Sequence, residues 1–383
     1  MAIVRDVTFL FVSASIIYYL LATAATVLYR RRATKSHPLP VDLPSVALLK
    51  PLHGDDEHLK ANLESFLALD YPNKEFIFGV TTDADPAVRV LADLERRYPR
   101  GRMSRTTGDE PSVNRKVGKL LRMLRQRPES EILVMSDADV RVDRDYLRRI
   151  VSEMTASDKI GMVTCAYRGI AAQRSLGARL EALQINTDFT PTAILSYYIE
   201  PMRHAFAATV AIRQSVLEQA GGLETVKNSF GDDFALARRV AAAGFKIELS
   251  SALVSMMIER MTLRDFWDHQ MRWARVDRKI RPSSLARMGI NGPFWALMLM
   301  LASRFSAPSI VLAIAVLAGR LGMAWWILRR VLRLPLSLAD LALTPVKDLI
   351  MQAVWVASLV GDTVEWRGRK LRLLPTGEME ELT

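Results

Sequence analysis

The chain has 383 residues, 52 Lys+Arg against 41 Asp+Glu, a net charge of +11 and a half-hydrophobic composition, with a mean hydropathy of +0.10. That balance excludes a disordered chain and is too apolar for an ordinary soluble protein with 24% charged residues, so the apolar residues must be concentrated in segments. The single cysteine, Cys165, excludes a disulfide framework and cysteine-rich metal sites, and the five histidines (His37, His53, His58, His204, His269) form no HxxxH pattern that would suit zinc.

The first element is an uncharged run at 7–29, VTFLFVSASIIYYLLATAATVLY, long enough to span a bilayer. A basic cluster follows it (Arg30, Arg31, Arg32, Lys35) where a cleaved signal would show small residues, so the reading is an uncleaved anchor at 1–30. The positive-inside rule puts the N-terminus outside and the following residues in the cytoplasm, which in a bacterial cell is an inner-membrane protein with a cytoplasmic domain.

A polar linker with Pro38, Pro40 and Pro44 leads into a domain at 31–258. Short apolar strands are predicted at 45–50, 75–80 and 131–136, with helices at 57–69, 86–97 (Pro86 at its start) and 143–155. This rhythm implies an α/β, mostly parallel sheet with crossover helices. Ligands in such sheets bind at the carboxyl ends of the strands, which here means just after Val80 and Ser136. Neither GxGxxG nor GxxxxGK[ST] is present, so dinucleotide and P-loop binding lack their fingerprints.

Three acidic pairs stand out: Asp83 and Asp85 in TTDADPA, Asp137 and Asp139 in MSDADV, and Asp232 and Asp233 in FGDDFALARRV before a helical run. A DxD after an apolar strand suits a divalent cation, with water and phosphate oxygens completing the shell. An Asx-turn or helix cap is the alternative for each pair taken singly.

Segment 176–203, with Phe189, Pro191, Tyr197, Tyr198 and Met202, is moderately apolar and suits either a lipid entrance or a core helix and loop. Residues 259–288 are predicted as a basic interfacial helix carrying His269-Gln270-Met271-Arg272-Trp273, and the fork of Arg272 suits phosphate oxygens. Membrane helices are expected over 289–364, with two at 290–328 turning near Arg304–Pro308. The stretch 341–361 carries Lys347 and Asp348 and has cytoplasmic-type flanks, so a re-entrant segment is one reading. Residues 365–383 are read as a cytoplasmic tail. Because the basic residues lie beside apolar segments, a membrane partner is expected and nucleic acid is not.

These stretches together resemble the ceramide glucosyltransferase family, including bacterial members that glycosylate hopanoid lipids. The likeness rests on LLKPLHGDDEHLKANLESFLALDYP at 48–72, DADPA at 83–87, the SDADV loop, AGGLETVKNSFGDDFALARRVAAAG at 220–244 and HQMRWAR at 269–275. The family pattern is three separated aspartates followed by (Q/R)xxRW. The resemblance implies a GT-A-like catalytic domain between membrane segments and an inverting transfer from a UDP-sugar to a membrane lipid, ceramide or hopanoid. It makes Asp233 the general base, with Asp232 beside it, and Asp137 and Asp139 the holders of a divalent cation (Mg or Mn). Asp85, with Asp83, is then a nucleoside contact, Lys116 a substrate contact, and Arg272-Trp273 the RW pair. The chain departs from the pattern at His269 and at the TTDAD loop. The alternatives are a processive polysaccharide synthase with a similar domain, or a non-catalytic lipid-binding scaffold.

Overall fold

The computed structural model describes residues 2–33, 38–99, 101–126, 128–173, 175–366 and 368–382. Lys35 and His37 lie outside the described residues. The expected mostly parallel α/β sheet with flanking helices is present. In chain order the elements are α1 (Ala2–Ala33), β1 (Val46–Pro51), α2 (Leu59–Leu67), β2 (Lys74–Val80), α3 (Ala87–Arg97), β3 (Met103–Thr107), α4 (Arg115–Leu124), β4 (Ile132–Ser136), β5 (Val140–Arg141) and α5 (Tyr146–Thr155). There follow β6 (Ile160–Ala171), α6 (Leu176–Gln184), a π turn at Ile185–Phe189, α7 (Thr190–Ile199), β7 (Thr209–Arg213), α8 (Gln214–Gln219), α9 (Asp232–Ala242) and β8 (Lys246–Ile258).

The sheet order is β3-β2-β1-β4-β7-β6-β8-β5. β1 pairs in parallel with β2 and β4, in register Val46↔Lys74 and Val46↔Ile132, and β2 pairs in parallel with β3. β7 runs antiparallel to both β4 and β6, and β6 runs parallel to β8. The apolar strands VALLKP and ILVMS are buried along their length, as expected for strands covered on both faces. Their common register brings the carboxyl ends of β1, β2 and β4 to one edge, so the loops carrying Gly54, Asp85 and Asp137 meet there.

The C-terminal helices are α10 (Leu263–Ile280), α11 (Pro282–Met288), α12 (Gly292–Ala302), α13 (Ala307–Trp326) and α14 (Leu338–Ser358). The predicted basic helix is thus two pieces, broken at Arg281 before Pro282. The two helices expected at 290–328 are present, and the turn between them holds Arg304 (φ 51) and Phe305 (φ 56). Segments Ile3–Ala33 and Ala307–Val331 are long and apolar enough to cross a membrane, and the bent pair α11–α12 makes up to three. α1 lies against α12 through stacked Phe11 and Trp295, 4.2 Å between centroids. Its far end is fastened to the sheet: Tyr29 Oη donates to Ser250 O at 2.8 Å, and Arg32 pairs with Glu248.

The stretch at 341–361 is one continuous helix, α14, with Pro345 inside it. Lys347 and Asp348 are buried there because they meet Arg320 of α13 and Asp188 of the π turn. Arg320 contacts Asp188 and Asp348, each at 2.8 Å, and Lys347 contacts Asp348 at 2.6 Å and also Asp188. Two cations and two anions thus neutralise one another away from water.

The segment read as a tail is folded. β9 (Thr363–Trp366), β10 (Arg369–Leu373) and β11 (Met379–Glu381) form an antiparallel sheet. It docks on the loop before α9: Phe230 N donates to Gly377 O at 3.3 Å and Met379 N to Asn228 O at 2.8 Å.

Candidate functional site

The site grows from the loop after β4. Asp137 leaves the strand with its N–H donating to Ala208 O, which ties it to the residue before β7. Beneath it Lys50, fully buried at the end of β1, donates from Nζ to Asp137 O at 2.7 Å and lies 3.7 Å from the Phe66 ring centroid. Burial pulls the Lys50 ammonium down to about 7, against the opposing pull of Asp137 and Asp139.

Lys116, in the first turn of α4, joins two of the acidic pairs. Its Nζ is 2.7 Å from Asp137 Oδ1 and 3.9 Å from Asp232 Oδ2. Burial works against its charge, but Asp137, Asp232 and Asp233 outweigh that and hold it protonated. Asp233 follows in the first turn of α9. Its carboxyl is pushed up to about 7, first by burial and then by the Asp232 carboxylate, with Lys116 opposing. Asp232 is raised by burial as well. Asp139 keeps an open face to solvent, yet the cleft's desolvation and then Asp137 push it up to about 6. Asp137, Asp139, Asp232, Asp233 and Lys116 therefore form one cluster.

The first acidic pair stands in the neighbouring loop. Asp85 is 8% exposed, and its Oδ1 accepts from Gly54 N at 2.9 Å and from Ala87 N at 3.0 Å. That geometry fastens the loop after β1 to the start of α3, the cap reading of this pair, and leaves Oδ2 3.6 Å from His53 Nδ1. Asp83 is exposed, accepting from Thr107 Oγ1 at 2.9 Å and facing Arg105 at 3.1 Å. Among the described contacts, neither aspartate touches the cluster around Lys116.

The HQMRW stretch sits on α10 beside the loop before α9. Trp273 meets Phe230 edge-on at 6.1 Å, and Phe230 meets Trp366 of β9 at 5.2 Å, so an aromatic wall leads to Asp232. Arg272 Nη1 donates to Glu365 O at 3.5 Å. His269 lies 2.9 Å from Glu181 and accepts from Trp273 Nε1 at 3.0 Å. Tyr167 bridges the two regions: burial first, then Asp233, Glu181, Asp139 and Asp137, raise its hydroxyl well above the usual range.

Sequence reasoning missed Lys50, Glu181 and above all Asn114. Asn114 is fully buried, and its Oδ1 accepts from Lys116 N and Val117 N, capping α4. Its Nδ2 donates to Ser229 O at 2.9 Å and Asp232 Oδ1 at 3.3 Å. One amide thus sets both Lys116 and Asp232. An asparagine three residues ahead of an apolar helical run was the available signal. Asn114→Ala is expected to cost about 2 kcal/mol through the lost cap and stranded partners and to lower activity. An unchanged thermal midpoint would contradict this.

The cluster fits a hard divalent cation. Four carboxylates face two ammonium groups, and burial first, then a neighbouring aspartate, raises three of the carboxyls. Among the described residues no three ligating side chains form a ready cage. The protein would supply Asp137 and Asp139, leaving positions for water and phosphate oxygens.

The model of the family described as Glycosyl transferase family 21 matches residues 7–379. Ceramide glucosyltransferase 3 of Caenorhabditis elegans is 22% identical over 351 residues, covering 88% of this chain and 74% of the relative. Ceramide glucosyltransferase 1 of the same organism is 23% identical over 253 residues, 65% of this chain and 53% of the relative, so the chain spans about half of that protein. Glucomannan 4-beta-mannosyltransferase 2 of Arabidopsis thaliana is 25% identical, covering 61% of this chain and 44% of its own length. The solved mannosyltransferase of Pyrobaculum calidifontis in complex with GDP-Man and Mn2+ is 19% identical, with a TM-score of 0.49 over 91% of this chain and 99% of its own.

Proposed function

The chain belongs to glycosyl transferase family 21 and is a glycosyltransferase; we propose that it moves a sugar from a UDP-sugar to the hydroxyl of a membrane lipid, ceramide or hopanoid, with inversion. The observation that carries this is the convergence of Asp137, Asp232 and Asp233 on Lys116 at the carboxyl edge of the sheet. Asp233, its carboxyl raised to about 7, takes the proton from the acceptor hydroxyl. The acceptor oxygen then bonds to the anomeric carbon as the bond to the diphosphate breaks, and UDP leaves. Asp137 and Asp139 would hold a divalent cation, Mg or Mn, which would supply countercharge to the departing diphosphate. Lys116 adds positive charge beside Asp137, and Arg272, on α10, is assigned to the same diphosphate. Asp85 and Asp83 flank the nucleoside from the loop after β2. Segments long and apolar enough to cross a membrane precede and follow the domain, which supports a lipid acceptor. We place the domain on the cytoplasmic side of the inner membrane because Arg30, Arg31 and Arg32 follow the first span.

The test uses the purified full chain with UDP-sugars and a lipid extract. UDP release that requires lipid supports the reading. A growing glycan without lipid would support a polysaccharide synthase, the alternative favoured by the glucomannan mannosyltransferase likeness. Asp137→Ala is expected to weaken cation-dependent UDP binding at least about tenfold by calorimetry. A titration with Mn2+ that matches the unsubstituted chain removes the cation assignment.

A further inference from the structure

His269 is where this chain departs from (Q/R)xxRW, and the structure shows what that departure requires. The indole Nε1–H of Trp273 can only donate, and it points at His269 Nε2, 3.0 Å away. A neutral imidazole that accepts on Nε2 must carry its proton on Nδ1. Nδ1 lies 2.9 Å from Glu181 Oε1 but its N–H is out of line for a hydrogen bond, so the carboxylate acts on the neutral Nδ1–H through its nearby charge. Glu181 projects from α6, its side chain 4% exposed, and its other oxygen accepts from Gln270 Nε2 at 2.8 Å. The two helices approach this closely because Gly177, at the start of α6, lies against the Met261 and Thr262 carbonyls, where any side chain would collide. A glutamine at position 269 would need no such support, because an amide oxygen accepts whatever lies behind it.

We propose that Glu181 is a positioning residue: it holds His269 in the Nδ1–H form, so that His269 fixes the indole of Trp273 and, through Phe230, the loop entering Asp232 and Asp233. The proposal rests on the transferase reading above. A carboxylate 2.9 Å from Nδ1 favours the tautomer that carries its proton on that nitrogen. Trp273 is 41% exposed, so packing alone does not hold it.

The test compares four full-length chains in lipid: unsubstituted, Glu181→Gln, His269→Gln, and both together. Glu181→Gln keeps the volume but turns one oxygen into an amide donor facing either His269 or Gln270. The expected result is a kcat lowered about tenfold with the donor KM held within about twofold. The two substitutions together are expected to be no slower than His269→Gln alone. Equal losses in both backgrounds mean that Glu181 only packs, and overturn the proposal; so does an unaffected kcat in Glu181→Gln. A second readout does not depend on activity. The Trp273 share of the fluorescence, obtained by subtracting the Trp273→Phe spectrum, is expected to shift on Glu181→Gln only where His269 is present. No shift overturns the proposal even if no lipid acceptor is found, which separates its failure from that of the transferase reading.

Discussion

Asp233→Asn is expected to slow turnover by about 10²–10⁴-fold, the range for loss of a general base, while UDP-sugar binding by calorimetry persists. The amide keeps the size of the carboxyl but cannot take a proton. The pH dependence gives an independent check. Burial and the adjacent Asp232 hold the Asp233 carboxyl up at about 7, in spite of Lys116. A base works only when deprotonated, so the rate of the unsubstituted chain is expected to rise with pH through about 7 and then level. The residual rate of Asp233→Asn should lack that rise. Turnover within about threefold of the unsubstituted chain would exclude Asp233 as the base, since so small a loss is far below what proton transfer contributes.

Arg320→Met is expected to cost about 3–5 kcal/mol, because it leaves buried Asp348 and half-buried Asp188 facing one ammonium. Arg320 is 1% exposed and also donates to Thr187 O at 3.0 Å. Restoring neutrality should recover part of the loss: Arg320→Met with Asp348→Asn leaves Lys347 against Asp188, and the double variant should be the more stable of the two. Denaturant titration in detergent measures both. A cost below about 1 kcal/mol for the single variant would mean that the four charges are not mutually dependent. Activity is expected to fall with stability. Asp188 precedes Phe189, which stacks on Tyr167 at 4.5 Å, and Tyr167 lies within the field of Asp233 and Glu181.

Legibility in the sequence followed the range of the interaction. The strands at 46–51, 74–80 and 132–136 announce themselves by short apolar cores, VALL, FIFGV and ILVM, and Pro86 marks the start of α3. β6, β7 and β8 were not read, because β7 reverses direction against both neighbours and interrupts the parallel rhythm that organised the rest. The acidic pairs were visible as chemistry. Lys116 was read as a substrate contact only through the family resemblance, and its place between Asp137 and Asp232 depends on α4 and α9 meeting through Asn114. Glu181 and Asp188 sit in a stretch read for its apolar character; each is explained by partners at least 80 residues away, His269 and Gln270 for the first and Arg320 for the second. The sheet at Thr363–Glu381 escaped notice because its strands are short and rich in charge. Its turns depend on Gly368 (φ 74) and Gly377 (φ 86), which are informative only once the strands are known.

That small sheet has a bearing on biogenesis. It follows every apolar helix along the polypeptide, yet its backbone bonds to Asn228 and Phe230 hold the entry to Asp232. During translation the anchor and the hairpin of α12 and α13 emerge from the ribosome, and can be inserted, before Met379 exists. The loop that leads into Asp232 therefore gains its Gly377 and Met379 backbone partners last in the order of synthesis.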